Sequence, residues 1–180
     1  MGINVVPSRY VRSAYDIDYE ALYRNGMRGI IFDIDNTLVE PNAPADERSK
    51  ELFVRLKKIG FQTVILSNNT GERARIFAAA VGSQVVARAM KPLPHKYRMS
   101  MQVMGTNASN TVFIGDQLYT DIWGANNTGV TSILTVPLTE REEFWICWKR
   151  RAEAPVRQKL TMEPIDLDCS AEEGMTCSTK

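Results

Sequence analysis

The alternation of short apolar runs with longer segments of helical periodicity constrains the fold of this chain most strongly. Within 45–59, for example, Leu52, Phe53 and Leu56 recur at helical spacing before Gly60 ends the helix. Strands separated by helices of this length indicate right-handed crossovers and a mostly parallel sheet. The pattern predicts strands at 28–32, 61–66, 84–89, 111–114 and 130–136, and helices at 45–59, 72–81, 94–104 and 120–126.

Length and charge exclude several classes of protein. A chain of 180 residues suits one well-cored domain, and a formal net charge of +1 gives no reason to expect a nucleic-acid partner. The three cysteines lack the CxxC spacing of a zinc site, and their odd number argues against a disulfide framework. No run reaches the ~18 apolar residues of a membrane span, and the N-terminus has no signal-peptide core. We therefore expect a cytoplasmic protein.

Both ends of the chain differ from this central pattern. We expect residues 1–27 to form an N-terminal extension, a loop with a short helix, that packs on a domain at 28–160. A helix at 139–160 carries aromatic residues that either dock on the sheet or lie at the headgroups of an anionic membrane, beside basic residues: Phe144, Trp145, Trp148, Lys149, Arg150 and Arg151. Residues 161–180 are acidic and are expected to be disordered.

Polar side chains follow four of the predicted strands at the point where each strand ends. They are Asp33 and Asp35, then Ser67 and Asn68, then Lys91, and finally Asp116 and Asp121. Because ligands of parallel sheets bind outside the carboxyl ends of the strands, we expect these groups to form one site. Two carboxylates at i and i+2 of an extended backbone share a face, which is costly unless a cation or a proton relieves the repulsion.

This set of groups suits phosphoryl transfer assisted by a hard cation. Oxygen ligands from Asp33, Asp35 and Asp116 suit Mg²⁺, which commonly also binds a substrate phosphate. The hydroxyl of Ser67 and the ammonium of Lys91 suit a phosphoryl group. A carboxylate can act as a nucleophile and form an acyl phosphate, and a second acid can protonate the leaving oxygen and later activate water.

These residues resemble the four motifs of the haloacid dehalogenase (HAD) superfamily of phosphatases. The first, hhhhDxDxT, is matched over 30–37, the second by Ser67, the third by Lys91 and the fourth, GDxxxxD, over 115–121. The resemblance implies a three-layer, Rossmann-like α/β fold, which we expect to hold a five-stranded sheet. The intervals between the motifs leave no room for a cap domain, so the site is expected to be open to large substrates.

The resemblance also implies roles for individual residues. Asp33 resembles the nucleophile, and Asp35 the acid/base whose backbone carbonyl binds Mg²⁺. Asp116 resembles the remaining metal ligand. The groups similar to phosphate binders are Ser67, Asn68 and Lys91, and those that would support the site are Thr37 and Asp121.

The finer match is to the YqeG-like branch of subfamily IIIA, seen in Asp33–Glu40, Ser67–Asn69, Lys91–Pro92 and Gly115–Asp121. Eukaryotic relatives in that branch are phosphatidylglycerophosphate phosphatases, which implies a lipid-borne phosphomonoester as substrate and a protein peripheral to the membrane. Two alternatives stay open. One is the same chemistry on a soluble sugar, nucleotide or phosphoprotein, and the other is a non-hydrolytic phosphoacceptor module. The spacing of Asp33 and Asp35 favours turnover.

Overall fold

A parallel sheet of six strands organises the protein. The computed structural model describes residues 3–68, 71–139 and 153–162. The strands are β1 (Arg9–Val11), β2 (Gly29–Phe32), β3 (Gln62–Ser67), β4 (Gln84–Ala87), β5 (Thr111–Gly115) and β6 (Thr131–Thr135). Their order across the sheet is β1-β6-β5-β2-β3-β4, and all neighbouring strands are parallel. The predicted α/β fold is therefore confirmed.

Between residues 3 and 139, the described part of the chain has five α-helices, which cover the two faces of this sheet. They are α1 (Tyr19–Arg24), α2 (Glu47–Ile59), α3 (Gly71–Val81), α4 (Pro94–Met104) and α5 (Trp123–Asn126). Side chains alternate along β2, so Ile30 and Phe32 pack with α1, α2 and α3, while Ile31 packs with α4 and α5. Both faces of the central strands are thus buried, which explains their continuous apolar sequence.

The helices begin at the carboxyl edge of the sheet, beside the ends of the strands that precede them. The side chain of Asp46 caps α2 there by accepting a hydrogen bond of 2.8 Å from the backbone N–H of Ser49. At the opposite edge Gly60 ends α2 with a left-handed φ of 112°. This polarity places loops, and any site built on them, at the carboxyl edge.

The sheet has one strand more than the five predicted. β1 lies in the N-terminal extension and pairs with β6, with Tyr10 opposite Leu134. Three residues carry too little alternation to identify a strand, and its partner lies far along the chain. α1 is the short helix predicted in the same extension, and its Tyr19 and Leu22 are part of the core.

Several predictions fall on parts of the chain that the structure does not describe. The predicted helix at 139–160 lies outside the described residues except for its ends, of which 153–157 are helical. All but the first two residues of the tail at 161–180 also lie outside, as do Cys147, Cys169 and Cys177. Within the described ranges no helix combines the length and apolarity needed to cross a bilayer.

Candidate active site

Asp33 directly follows β2 and lies at the centre of the carboxyl edge. Its backbone N–H donates to the carbonyl oxygen of Ile114 at 3.0 Å, which continues the pairing of β2 with β5. Only 7% of its side chain is exposed. The strand geometry predicted for the first acidic residue therefore holds, and it delivers a carboxylate into an enclosed space.

Lys91 connects two of the predicted carboxylates. Its Nζ donates to Asp33 Oδ1 at 2.5 Å and to Asp121 Oδ1 at 2.7 Å, and its side chain is 4% exposed. Carboxylate oxygens of Asp33, Asp116 and Asp121 all lie within 4.8 Å of one another. Residues that follow β2, β4 and β5 thus converge on one point at the carboxyl edge of the sheet, where the order of strands and polar residues predicts a site.

The loop after β5 adopts a geometry that aims Asp121 at this point. A π-helical turn (Leu118–Ile122) precedes α5, where a helix over 120–126 was predicted. Asp121 Oδ2 accepts from the backbone N–H of Gln117 at 3.1 Å. The Tyr97 hydroxyl of α4 donates to the carbonyl oxygen of Thr120 at 2.9 Å. A Cβ atom at Gly115 would collide with the Asp121 carboxylate, so a glycine is required there.

Negative charge exceeds positive charge by two within this group of three carboxylates and one ammonium. Burial raises the pKa of Asp33 to about 8; Lys91 opposes this shift, and the nearby Asp121 and Asp116 add to it. Burial alone would lower the pKa of Lys91, but the carboxylates of Asp121 and Asp33 outweigh it and hold the pKa above its usual value. The ammonium therefore stays charged, and the cluster attracts a proton or a cation.

Asp35 takes a different direction from Asp33. Its Oδ1 accepts from Arg73 Nη2 at 2.5 Å and from the backbone N–H of Asn42 at 3.0 Å. The left-handed φ of 62° at Asn36 turns the chain directly after it. The Asp35 side chain is consequently held beside the first turn of α3, and the carboxylate cluster forms from Asp33, Asp116 and Asp121.

The remaining predicted residues border the same site. Thr37 Oγ1 donates to Asp116 Oδ1 at 3.4 Å. Ser67 ends β3 and is buried, with its carbonyl oxygen accepting from the N–H of Ala89 at 3.0 Å. The Asn68 side-chain oxygen accepts from the backbone N–H of Lys91 at 2.8 Å, so this side chain holds the turn that carries the lysine.

Comparison with known proteins agrees with this geometry. A family model described as HAD-hydrolase-like matches residues 88–137, the part that holds Lys91, Asp116 and Asp121. "Probable phosphatase YqeG" of Bacillus subtilis is 33% identical over 156 residues, which cover 86% of this chain and 91% of that protein. The chain belongs to the YqeG-like phosphatases of the HAD superfamily.

One further relative and one solved structure of similar fold extend the comparison of this YqeG-like phosphatase. "Phosphatidylglycerophosphate phosphatase 1, chloroplastic/mitochondrial" of Arabidopsis thaliana is 29% identical over 182 residues, covering 90% of this chain and 51% of that protein. The chain thus spans about half the length of the plant relative. The crystal structure of a HAD phosphatase from Thermococcus onnurineus matches this structure with a TM-score of 0.50 at 15% identity. The match covers 66% of this chain and 90% of that protein, and it supports the fold.

Three residues of the YqeG-like site were not singled out for it from the sequence. Arg73 pairs with Asp35, as described above. Glu153 is buried and its Oε1 accepts from the backbone N–H of Leu118 at 2.8 Å, while Arg157 donates to the carbonyl oxygen of Asp116 and to Glu153 Oε2. Charged residues at helical spacing normally indicate a solvated face, so no sequence signal assigns these contacts.

The donor set of this YqeG-like phosphatase fits a hard divalent cation. Three buried carboxylates with an excess of two negative charges match the oxygen ligands and charge that Mg²⁺ prefers. Asp121 is already engaged by Lys91 and the Gln117 amide. The motif resemblance implies that Asp33 and Asp116 are the side chains that would hold such an ion.

Proposed function

We propose that this protein is a Mg²⁺-dependent phosphomonoester hydrolase that acts through an aspartyl-phosphate on Asp33. The proposal rests on the groups that surround the buried carboxylate of Asp33. The Lys91 ammonium lies 2.5 Å from it, and carboxylate oxygens of Asp116 and Asp121 lie within 4.8 Å. A nucleophilic carboxylate next to a cation and a metal site can approach an anionic phosphate, which it otherwise repels.

In the first half of the reaction, a carboxylate oxygen of Asp33 attacks phosphorus. The new oxygen–phosphorus bond forms as the ester oxygen leaves, and Asp35 donates a proton to that oxygen. Asp33, Asp116 and the Asp35 carbonyl would hold Mg²⁺, which would supply positive charge that offsets the repulsion between nucleophile and substrate. Lys91, with Ser67, neutralises charge on the phosphoryl oxygens.

In the second half, water hydrolyses the aspartyl-phosphate. Asp35, now deprotonated, accepts a proton from the attacking water, and the Asp33 carboxylate is regenerated as phosphate leaves. The contacts of Asp35 with Arg73 and the Asn42 amide hold the side chain that performs both proton transfers beside the first turn of α3, at the border of the carboxylate cluster. Thr37 and Asp121 support the reacting groups through Asp116 and Lys91.

The substrate we propose is a phospholipid phosphate such as phosphatidylglycerophosphate. The name of the plant relative supports this class of substrate. The described chain between Asp35 and Ser67 forms only a loop, α2 and β3, and that between Lys91 and Gly115 forms a loop, α4, a 3₁₀ turn and β5. No inserted domain in these intervals covers the carboxyl edge, so a headgroup still attached to a bilayer can approach it.

Hydrolysis of an aryl phosphate tests the chemistry. Purified protein with Mg²⁺ should release phosphate, and Asp33→Asn should abolish release. Asp16→Asn, an exposed aspartate outside the site, is the matched control and should retain full activity. Acid quenching during turnover should trap phosphate on the wild-type chain but not on Asp33→Asn. Full activity of Asp33→Asn would overturn the assignment of the nucleophile.

A direct competition tests the substrate class. Vesicles containing phosphatidylglycerophosphate should be hydrolysed with a higher kcat/KM than glycerol 3-phosphate, sugar phosphates, nucleotides or a phosphopeptide. A large preference for any of the soluble compounds would reject the lipid substrate and favour the soluble alternative, while the chemistry at Asp33 would stand.

A further inference from the structure

Two large apolar side chains project into solvent on either side of the buried Lys91. Met90 is 66% exposed and Leu93 is 53% exposed, whereas Lys91 between them is 8% exposed. The backbone N–H of Leu93 donates to the carbonyl oxygen of Met90 at 3.0 Å, which closes a tight turn. The turn that delivers the ammonium to the active site therefore presents an apolar tip outward.

The segment of the chain that contains this apolar tip carries a net positive charge. From Arg73 to Gly115 the chain contains no aspartate or glutamate, and it contains six basic residues besides His95: Arg73, Arg75, Arg88, Lys91, Lys96 and Arg98. The remainder of the chain carries 21 acidic residues against 16 basic ones, so the net charge of this segment is positive and that of the remainder is negative.

Three exposed basic residues and the half-buried Lys96 lie at the same edge of the sheet as the active site. Arg75 is exposed in α3, and its guanidinium borders the space beside Gly71 and Ala87, where α3 begins and β4 ends. Arg88 follows β4 directly, and Lys96 and Arg98 lie in the first two turns of α4. We call Arg75, Arg88, Met90, Leu93, Lys96 and Arg98 the β4–α4 rim.

We propose that the β4–α4 rim docks this protein on the surface of an anionic phospholipid bilayer. Met90 and Leu93 enter the interface between headgroups and acyl chains, and the basic side chains around them bind anionic headgroups. The turn carrying Lys91 is then at the membrane surface, so a phosphorylated headgroup reaches the site without leaving the bilayer. The inference extends the proposed lipid substrate, and it assigns binding to a surface distinct from the helix predicted at 139–160.

Charge complementarity selects this occupant. An exposed apolar tip without basic residues at the same edge of the sheet would fit many partners, but apolar side chains that share this edge with basic residues match an anionic lipid interface in both respects. The location adds a second argument, because the rim includes the two residues that flank Lys91.

Flotation of the full-length protein with vesicles tests the proposal. We expect wild-type protein to float with equimolar phosphatidylcholine and phosphatidylglycerol and to float far less with phosphatidylcholine alone. Met90→Gln/Leu93→Gln should lower partitioning onto the anionic vesicles by about tenfold or more. Arg75→Gln/Arg98→Gln should lower it to a similar extent, with the effect shrinking at high salt.

Matched controls separate the rim from generic surface effects. Val54→Gln/Val103→Gln removes two exposed apolar side chains outside the rim, and Val54 is 53% exposed, like Leu93. Lys57→Gln/Lys58→Gln removes two exposed positive charges at the end of α2, on the opposite edge of the sheet. Both controls should float like wild type, and the rim variants should hydrolyse a soluble aryl phosphate at the wild-type rate.

Several outcomes would overturn the proposal. They are the absence of wild-type flotation, equal flotation on neutral and anionic vesicles, and unchanged flotation of Met90→Gln/Leu93→Gln. If the wild type elutes as a dimer on size-exclusion chromatography, the variant elutes as a monomer and the wild type does not float, the rim is a self-association surface instead. If the wild type floats through the rim but hydrolyses neither aryl phosphate nor lipid, the docking surface stands and the proposed function fails.

Discussion

The guanidinium of Arg73 lies 2.5 Å from the carboxylate of Asp35, measured from Nη2 to Oδ1. A second guanidinium nitrogen, Nη1, donates to the carbonyl oxygen of Ala43 at 2.8 Å, so Arg73 ties the first turn of α3 to the loop that follows β2. Both partners are largely buried, with 16% and 26% of their side chains exposed. Arg73 is thus a positioning residue for the acid/base that we propose.

Replacing Arg73 with alanine should slow catalysis without weakening substrate binding. General acid catalysis contributes about 100- to 10,000-fold to a reaction rate, and a misdirected general acid loses part of that contribution. We therefore expect kcat for an aryl phosphate to fall by about 10- to 100-fold with little change in KM. Arg73→Lys should restore part of the loss, and Arg75→Ala, two residues along the same helix, should behave like wild type. Unchanged kcat in Arg73→Ala would show that Asp35 needs no such support.

Removing the Lys91 ammonium should destabilise the fold as well as abolish activity. Lys91→Met leaves the buried carboxylates of Asp33 and Asp121 without their cation, which we expect to cost about 3–5 kcal/mol in urea unfolding. The double variant Lys91→Met/Asp121→Asn removes one of these two unpaired buried charges, so it should regain part of the lost free energy of unfolding. Strictly additive effects of the two single substitutions would contradict the pairing.

Stability without metal should fall as the pH rises. The pKa of Asp33 is about 8 in the folded protein, against 3.8 for the unperturbed group. At a pH between these two values, the folded state therefore binds a proton that the unfolded chain has released. The free energy of unfolding consequently falls as the pH rises through that window. Tm measured in EDTA should decline from acid to pH 8, and a flat or rising profile would contradict this.

Magnesium should reverse that decline. Because the cation replaces the proton on the carboxylate cluster, the Tm gain should be largest near pH 8, about 5–10 °C at saturating Mg²⁺. Asp116→Asn should lose most of the gain, whereas Asp16→Asn should keep it. The same shift in both variants would place the metal elsewhere.

The contact of Arg157 with the loop after β5 should affect metal binding. Arg157 donates to the carbonyl oxygen of Asp116 and to Glu153, so Arg157→Ala frees the backbone that positions a proposed metal ligand. Support of this kind contributes about tenfold or more to metal affinity, and calorimetric titration with Mg²⁺ should show a loss of that size. The exposed Lys159→Ala is the control. Equal affinities for both variants would contradict the role of Arg157.

Sequence reasoning succeeded where local patterns decide the structure. The bounds of α4 agree with the predicted 94–104 because Pro94 begins the helix and Gly105, at a φ of 66°, ends it. The end of β2 agrees with the predicted 32, and β5 ends one residue after the predicted 114, because fully buried parallel strands are continuous apolar runs, after which the polar residues stand out. The convergence of Asp33, Lys91 and Asp116 follows from that topology alone.

The differences arise where distant residues or unusual backbone decide the outcome. β4 ends at Ala87, before the predicted 89, because Arg88 and Met90 adopt left-handed φ angles of 52° and 53°. The π-helical turn at Leu118 depends on Glu153, which is remote in sequence. The pairing of Arg73 with Asp35 likewise joins separate elements, and a sequence without a fold cannot show which arginine reaches the site.

Glu153 and Arg157 lie beyond the residues that resemble the HAD motifs, which end at Asp121. Their side chains nevertheless support the loop that carries Asp116 and Asp121. A truncated protein that ends after β6 would keep every motif but would lose the two side chains that support the loop carrying the fourth motif. Engineering of this protein should therefore retain the chain through Arg157, and motif searches alone will underestimate how much of it catalysis requires.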